Sequence, residues 1–282
     1  MKTKFIFSVF FASSFLFISC KQKTTNYSSS IDITGKDTLL YDVYLLDTTN
    51  TACTQQYKNC PSVKVSYPIF HSPDSSLNTY LNEEVMKSIL YFDVDDSVNY
   101  TSVIDIAKRF FEENLKMKKE GNYDDASSGW TKENSVYVYD KLGKYLTLEV
   151  LHELYAGGAH PNSYIEYKVY DLVNRKQAQA SEILNLNDTS LLRIGEHLFR
   201  KQNEIADSST LADAGYFIFG DGDNFEDGPN YGKFHFNNNM AITKDGIQFL
   251  YNAYEMAPYA AGRPSITLPY DMLQPYLKVK IW

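Results

Sequence analysis

Residues 136–155 read VYVYDKLGKYLTLEVLHELY, and this stretch decides the fold class. Two runs rich in Val, Tyr and Leu flank the turn segment Asp140 to Gly143, which is the pattern of a β-hairpin. β-Branched and aromatic residues pack well on a pleated surface, so the second run predicts a strand from Tyr145 to Tyr155. The hairpin predicts antiparallel sheet.

Strand and helix patterns alternate on both sides of this hairpin. Apolar runs predict strands at residues 40–46, 63–70, 163–171, 240–243 and 247–251. One-sided apolar spacing predicts helices after residues 72–75, over residues 102–120, and after the capping pair at 187–188. Because no regular βαβ rhythm is present, we expect an α+β fold of mainly antiparallel sheets with several packed helices, in two co-folded halves.

The first twenty residues have the pattern of an export signal. A basic head precedes a largely apolar run from Phe5 to Ile18, which is shorter than the ~20 residues of a membrane-spanning helix. The run ends in LFISC and resembles a lipobox, although Phe17 stands where leucine is usual. We expect residues 1–19 to be a lipoprotein signal peptide and Cys20 to carry acyl chains such as palmitate. The alternatives are an ordinary secretory peptide and a membrane anchor.

The composition predicts a folded, acidic protein. Hydrophobic residues make up 44% of the chain, which is enough for a core. The formal charge is −8, and loss of the two lysines within residues 1–19 would leave −10. No basic stripe is present, so nucleic acid is not expected as a partner. The polar residues 20–38 are expected to form a flexible tether between the lipid and the domain.

The two remaining cysteines, Cys53 and Cys60, lie in one polar loop. Outside the cytoplasm such a pair oxidises. The surrounding sequence lacks the additional Cys and His residues of a zinc site. We therefore predict a structural disulfide between Cys53 and Cys60.

Two glycine-containing motifs stand out, YAGGAHP at residues 155–161 and YEMAPYAAG at residues 254–262. With KDGIQFLY at 244–251, they resemble landmarks of the extracytoplasmic domain shared by RsiV-like and PdaC-like proteins. The resemblance covers most of residues 40–277 and implies a two-part domain of unknown function. It divides the folded region into an N-terminal α/β part, residues 39–155, and a C-terminal part, residues 156–282.

The resemblance also implies a class of partner. In RsiV the domain is the outer sensor of an anti-sigma factor and binds lysozyme, and in PdaC it precedes a peptidoglycan deacetylase domain. We recognise neither a sigma-binding segment nor a deacetylase domain in this sequence, so neither role is expected to carry over. What remains is a cell-envelope domain that binds or senses a cell-wall component or a lysozyme-like protein.

Few residues have the pattern of a reactive site. His160 lies in a glycine-rich turn, and bracing of that turn is favoured over catalysis because no recognised catalytic or metal spacing surrounds it. His160, Tyr259 and Arg263 are nevertheless candidate binding residues, since tyrosine and arginine dominate binding hot spots. Tyr254, by contrast, is expected to pack against the sheet.

One acidic stretch, GDGDNFEDG at residues 220–228, brings together the oxygen-bearing residues Asp221, Asp223, Glu226 and Asp227. The stretch is a candidate calcium loop, but its spacing does not fit an EF-hand, so a solvated loop is favoured. No other metal or cofactor motif is present, and we expect no cofactor. The prediction is a lipid-anchored extracytoplasmic binding protein, not an enzyme. The alternatives are a glycan-modifying enzyme that uses the His160 turn and a purely structural envelope protein.

Overall fold

The structure of the chain is a computed structural model, which describes residues 28–31, 39–50, 60–90, 100–120, 129–216 and 234–282. In these ranges it contains two β-sheets and five α-helices. Helices pack on the sheets and the strand pairs are antiparallel with one exception, so the predicted α+β class is confirmed.

The larger sheet has seven strands that lie side by side in chain order. They are β1 (Ser28–Ile31), β2 (Leu39–Thr49), β3 (Ser62–Phe70), β4 (Thr131–Leu142), β5 (Tyr145–Tyr155), β6 (Asn162–Asp171) and β7 (Lys176–Ala178). Among these strands the parallel pair is β3 with β4. A parallel pair requires a crossover connection, which here contains α1 (Ser75–Leu90) and α2 (Val103–Lys119).

Both crossover helices begin at side-chain caps and bury one face, as their apolar spacing predicts. The Asp74 carboxylate accepts the Leu77 N–H at 2.9 Å before α1. The Ser102 hydroxyl accepts the Asp105 N–H at 3.2 Å at the start of α2. The buried residues of the two helices are Leu81, Val85, Ser88, Ile89, Val103, Ile106, Ala107, Phe110, Phe111 and Asn114.

Strand β5 separates two hydrophobic cores. Leu146 and Leu148 join the first core with α1 and α2, whereas Tyr145 joins the second core. Because successive side chains of a strand point to opposite faces, the two cores lie on opposite sides of the sheet. The first core draws on residues 39–170 and the second on residues 145–281.

The predicted hairpin is present, but its turn is tighter than expected. The sequence predicts a turn over residues 140–143, whereas only Gly143 and Lys144 connect β4 to β5. The register shifts between Val138 and Asp140, and this bulge takes up the extra residue. Gly143 has φ +55, a conformation that glycine adopts without strain.

The second core is covered by a three-stranded sheet and by further helices. These elements are α3 (Ala180–Ile183), α4 (Thr189–Gln202), β8 (Met240–Ile242), β9 (Ile247–Leu250), β10 (Ser265–Leu268) and α5 (Tyr270–Leu273). Thr147 of β5 is fully buried, and its hydroxyl exchanges hydrogen bonds with the Ile242 carbonyl and N–H at 2.8 and 3.1 Å. These bonds hold β8 against the centre of the larger sheet.

Two asparagine side chains complete the hydrogen bonding of β6. Strand β7 pairs with residues 169–171 of β6, so within the described ranges the backbone before them has no strand partner on that side. Asn252 accepts the Ile165 N–H and donates to the Ile165 carbonyl, at 2.8 and 2.9 Å. Asn239 accepts the Tyr167 N–H at 2.7 Å and donates to the same Ile165 carbonyl at 2.8 Å. The two amides therefore join the edge of β6 to the segments that flank the smaller sheet.

Two predicted boundaries differ from the structure. Residues 28–31 form β1, which pairs with β2, so this part of the predicted tether over residues 20–38 is a strand. An open strand edge offers N–H and C=O groups, which a polar segment can pair as well as an apolar one. The boundary expected between residues 155 and 156 lies within the larger sheet, because β6 and β7 continue it from β5.

Asn239→Ala should lower the free energy of unfolding by about 1–3 kcal/mol, because the Tyr167 N–H loses its acceptor inside the protein. Urea denaturation measures this change. The matched control is Asn238→Ala, whose side chain is exposed and which should change the free energy by less than ~0.5 kcal/mol. Equal destabilisation by the two substitutions would contradict the role given to Asn239.

His152 is a buried titratable side chain on the first-core side of β5, with 4% of its surface exposed. Burial, together with the charges of Lys168 and Lys132, lowers its pKa from the ordinary 6.5 to about 3. Lys132 is buried as well and donates to the Tyr100 hydroxyl at 3.0 Å. His152 therefore stays neutral in the folded chain at pH values at which an unfolded chain protonates it.

Stability should fall as the pH decreases from 6.5 toward 3, because only the unfolded chain takes up a proton on His152 in this range. Each pH unit removes up to about 1.4 kcal/mol. Urea denaturation at several pH values should show a flatter profile for His152→Gln than for the wild type. His197→Gln, at an exposed position on α4, should keep the wild-type profile. An unchanged slope in His152→Gln would mean that another group is responsible.

Candidate functional site

The connection between β5 and β6 presents His160 at one end of the larger sheet. Gly157 and Gly158 have φ angles of +99 and +105, which residues with side chains rarely adopt, so the shape of this turn requires glycine. The Tyr155 hydroxyl donates to the Gly158 carbonyl at 3.1 Å and closes the turn. The side chain of His160 is exposed. The turn thus displays the imidazole ring to solvent.

His160 contacts two tyrosines from a distant part of the sequence. Its ring stacks on the Tyr259 ring, with centroids 3.7 Å apart and an angle of 11° between the planes. Its Nδ1 lies 3.0 Å from the Pro161 carbonyl, which can only accept, so Nδ1 carries a proton. Its Nε2 lies 3.4 Å from the Tyr254 hydroxyl oxygen, within hydrogen-bond distance. We call His160, Tyr254 and Tyr259 the aromatic cluster.

Tyr254 is exposed and has an uncommon conformation for an aromatic residue. Its φ is +69, and 55% of its surface is exposed. The Tyr254 N–H donates to the Ala257 carbonyl at 2.9 Å, which fixes the backbone of this turn. A left-handed conformation costs a residue other than glycine about 1–3 kcal/mol. The expectation that Tyr254 packs against the sheet is wrong, because the turn holds its ring away from the core.

The segment that carries both tyrosines is anchored at Asn252. The Asn252 side chain pairs with the backbone of Ile165 on β6, and its own N–H donates to the Glu255 carboxylate at 2.9 Å. Tyr259 then begins a short 3₁₀ helix, Tyr259–Ala261. The anchor is close to the start of β6, where the His160 turn ends. The edge pairing of β6 therefore brings the two parts of the aromatic cluster together.

Arg263, the third candidate binding residue, is not part of the aromatic cluster. In the described part of the chain its guanidinium makes no hydrogen bond or ring contact with the cluster, and its buried Nε has no hydrogen-bond partner. Its charge acts on the carboxyl group of Glu149. Burial raises the pKa of Glu149, while a hydrogen bond from Tyr167 and the charge of Arg263 oppose the rise. Glu149 is not among the predicted residues, although it is a charged residue on the same face of β5 as Tyr145.

The aromatic cluster has the chemistry of a binding surface. Stacked rings with hydroxyl and imidazole groups at their edges offer apolar faces and hydrogen bonds to the same partner. The hydrogen-bond partners of His160 are a carbonyl and a tyrosine hydroxyl, and neither is a carboxylate of the kind that orients a catalytic histidine. Within the described ranges, no group of three or more His, Cys, Asp or Glu side chains could hold a metal ion.

Several predicted sites lie outside the residues that the structure describes. They are Cys20, Cys53, Asp221, Asp223, Glu226 and Asp227. Cys60 is half-buried just before β3, and its disulfide with Cys53 stays a prediction, as do the signal peptide over residues 1–19 and the lipid on Cys20. The helices in the described part of the chain are all too short or too polar to cross a membrane.

Comparison with known proteins matches the C-terminal part of the chain to one family. Residues 176–271 match the family described as "Protein of unknown function (DUF3298)". The match begins at Lys176, the first residue of β7, and includes Tyr254, Tyr259 and Arg263 but not His160. No curated protein matches the chain.

Two crystal structures are similar to the whole chain. A member of the DUF3298 family from Bacteroides fragilis NCTC 9343 has a TM-score of 0.64 and 20% identity, over 85% of this chain and 93% of that one. A DUF3298 family protein from Pseudomonas aeruginosa PAO1 has a TM-score of 0.59 and 16% identity, over 90% of this chain and 95% of that one. At such identities the similarity is one of fold. The comparisons therefore establish a DUF3298 match over residues 176–271, in a chain with the fold of solved DUF3298 proteins.

Proposed function

We propose that the chain is a lipid-anchored binding or sensing protein of the bacterial cell envelope, and that the aromatic cluster is its binding surface. The partner is a cell-wall component or a lysozyme-like protein. The two motifs that resemble RsiV-like and PdaC-like domains support this class of partner. One motif, YAGGAHP, contains His160, and the other, YEMAPYAAG, contains Tyr254 and Tyr259. Residues of both motifs thus meet in one exposed cluster.

The observation that carries the proposal is the conformation of Tyr254. Its φ of +69 is costly, and with 55% of its surface exposed the ring gains little from burial in return. A partner that covers the exposed ring would offset this cost, because tyrosines that become buried in an interface are frequent hot spots of binding. The turn would then be shaped for recognition rather than for stability.

Charge supports a cationic partner such as a lysozyme. A formal charge of −8, or −10 after loss of residues 1–19, would attract a cationic protein and increase the rate of association. Exposed charges are screened beyond roughly 8 Å at physiological ionic strength, so this interaction would weaken as the salt concentration rises. An uncharged glycan would bind with little salt dependence. The effect of salt therefore distinguishes the two kinds of partner.

Tyr254→Gly should weaken binding and stabilise the fold at the same time. Glycine adopts the left-handed conformation without strain, so the free energy of unfolding should rise by about 1 kcal/mol. Loss of the ring should weaken saturable binding to purified peptidoglycan or to lysozyme at least tenfold, which is about 1.4 kcal/mol. Binding assays and urea denaturation on the same preparation measure both effects.

The matched control is Tyr137→Ala, which removes a tyrosine ring that is 38% exposed on β4, outside the cluster. It should leave binding unchanged. His160→Ala should weaken binding, since it removes the ring that stacks on Tyr259. Wild-type binding of Tyr254→Gly would contradict the proposed surface. Hydrolysis of peptidoglycan by the wild type that is lost in folded His160→Ala would instead support the glycan-modifying enzyme.

Cys20→Ala tests the lipid anchor. The lipobox-like sequence before Cys20 supports cleavage and acylation at this residue. The variant should remain unprocessed or be released, and it should not incorporate labelled fatty acid. Membrane fractionation and metabolic labelling measure these outcomes. A variant that still carries labelled lipid would show that the anchor lies at another residue.

A further inference from the structure

A pocket lies at the end of the larger sheet opposite to the aromatic cluster. It is formed by the starts of β2 and α1, by the β4–β5 turn and by the turn after β6. Its volume is about 490 Å³, which lies within the ~300–1,000 Å³ of small-molecule sites. The β4–β5 turn and the His160 turn are at opposite ends of β5, so the pocket is separate from the proposed binding surface.

The lining of the pocket combines apolar and cationic side chains. Leu39, Leu77 and Leu172 provide apolar surface. The charged lining residues are Lys141, Lys144, Arg175 and Asp74. The lining therefore includes three basic residues and one acidic residue, in a chain whose overall charge is negative.

One further carboxylate lies beside the pocket. Asp171 accepts Lys144 Nζ at 2.6 Å and also accepts the Val173 and Asn174 N–H groups at 3.1 and 3.0 Å. Its oxygens are therefore directed to these internal partners. Lys144 and Asp171 therefore form an ion pair beside the pocket.

Arg175 is the cation that a ligand can reach most readily. In the described part of the chain its side chain makes one hydrogen bond, from Nη2 to Asp74 at 3.1 Å, although a guanidinium has five N–H donors. The pair is exposed, with 44% and 50% of the two side chains accessible, so it contributes only about 0–1 kcal/mol. Asp74 keeps its bond to the Leu77 N–H without Arg175. A ligand anion can therefore replace Asp74 at Arg175.

We propose that this pocket binds a small organic carboxylate, whose anionic group pairs with Arg175 and Lys144 and whose apolar body contacts Leu39, Leu77 and Leu172. The planar guanidinium matches the two oxygens of a carboxylate. This inference does not depend on the function proposed for the aromatic cluster.

Calorimetric titration of the purified chain with four six-carbon probes tests the proposal. Hexanoate, hexanamide, hexylamine and hexyl phosphate share an apolar chain and differ in the polar group. Hexanoate should bind saturably and at least about tenfold more tightly than the amide or the amine, because a charged hydrogen bond contributes more than a neutral one. Equal affinity for hexanamide or hexylamine would overturn the proposal. Tighter binding of hexyl phosphate would overturn the assignment of a carboxylate.

Two substitutions with opposite expected effects assign the binding to this pocket. Arg175→Gln should weaken hexanoate binding about tenfold and leave hexanamide unaffected. Asp74→Asn keeps a helix cap but removes the competing carboxylate, so hexanoate should bind about threefold more tightly. The control is Arg193→Gln, at an exposed position on α4, which should bind hexanoate like the wild type. Wild-type affinity in both Arg175→Gln and Asp74→Asn would place any hexanoate site elsewhere and refute the proposal.

Discussion

The side-chain amides of Asn239 and Asn252 replace a missing strand at the edge of β6. The Ile165 N–H and carbonyl and the buried Tyr167 N–H bond to these amides, and loss of the acceptor for a buried N–H costs about 1–3 kcal/mol. Because each asparagine flanks the smaller sheet, the same bonds that complete β6 also fix the smaller sheet on the larger one. The second core and the position of the tyrosine-bearing segment both depend on this pairing.

Features set by local sequence could be predicted, and features set by distant contacts could not. The spacing of Leu81, Val85 and Ile89 identifies α1 because a helix repeats within a few residues, and the β4–β5 hairpin is a local pairing of the same kind. The parallel pairing of β3 with β4 depends on a crossover that no local pattern encodes. His160 and Tyr259 were each candidates, but their stacking joins residues far apart in the chain. The exposure of Tyr254 follows from its backbone angle, which its aromatic side chain gives no reason to expect.

The side chains of the aromatic cluster and those of the proposed carboxylate-binding pocket are held in place in different ways. The cluster lies on a turn whose shape requires Gly157 and Gly158 and on a segment held by Asn252, so its rings are placed by backbone constraints. The pocket includes the exposed ion pair of Arg175 with Asp74, which can exchange partners. Strand β5 has eleven residues between the two sites, which separates them by about 35 Å. A ligand in the pocket therefore cannot touch a partner on the cluster unless that partner is large.

The two cores draw on different parts of the chain, so they can fold at different times during synthesis. In the described ranges the buried residues of the first core lie within residues 39–170, so this core can form while the rest of the chain is still emerging from the ribosome or the export machinery. The second core includes Leu273 and Ile281, and Leu277 forms a bridge to Leu184. Until α3, α4 and the smaller sheet arrive, the second-core face of the larger sheet, with Tyr145 and Val169, has no cover, and residues 273–281 complete it last. The chain therefore passes through a partly folded state in which one face of the larger sheet is packed and the other exposes apolar side chains. A chaperone that binds apolar surface would act on this state.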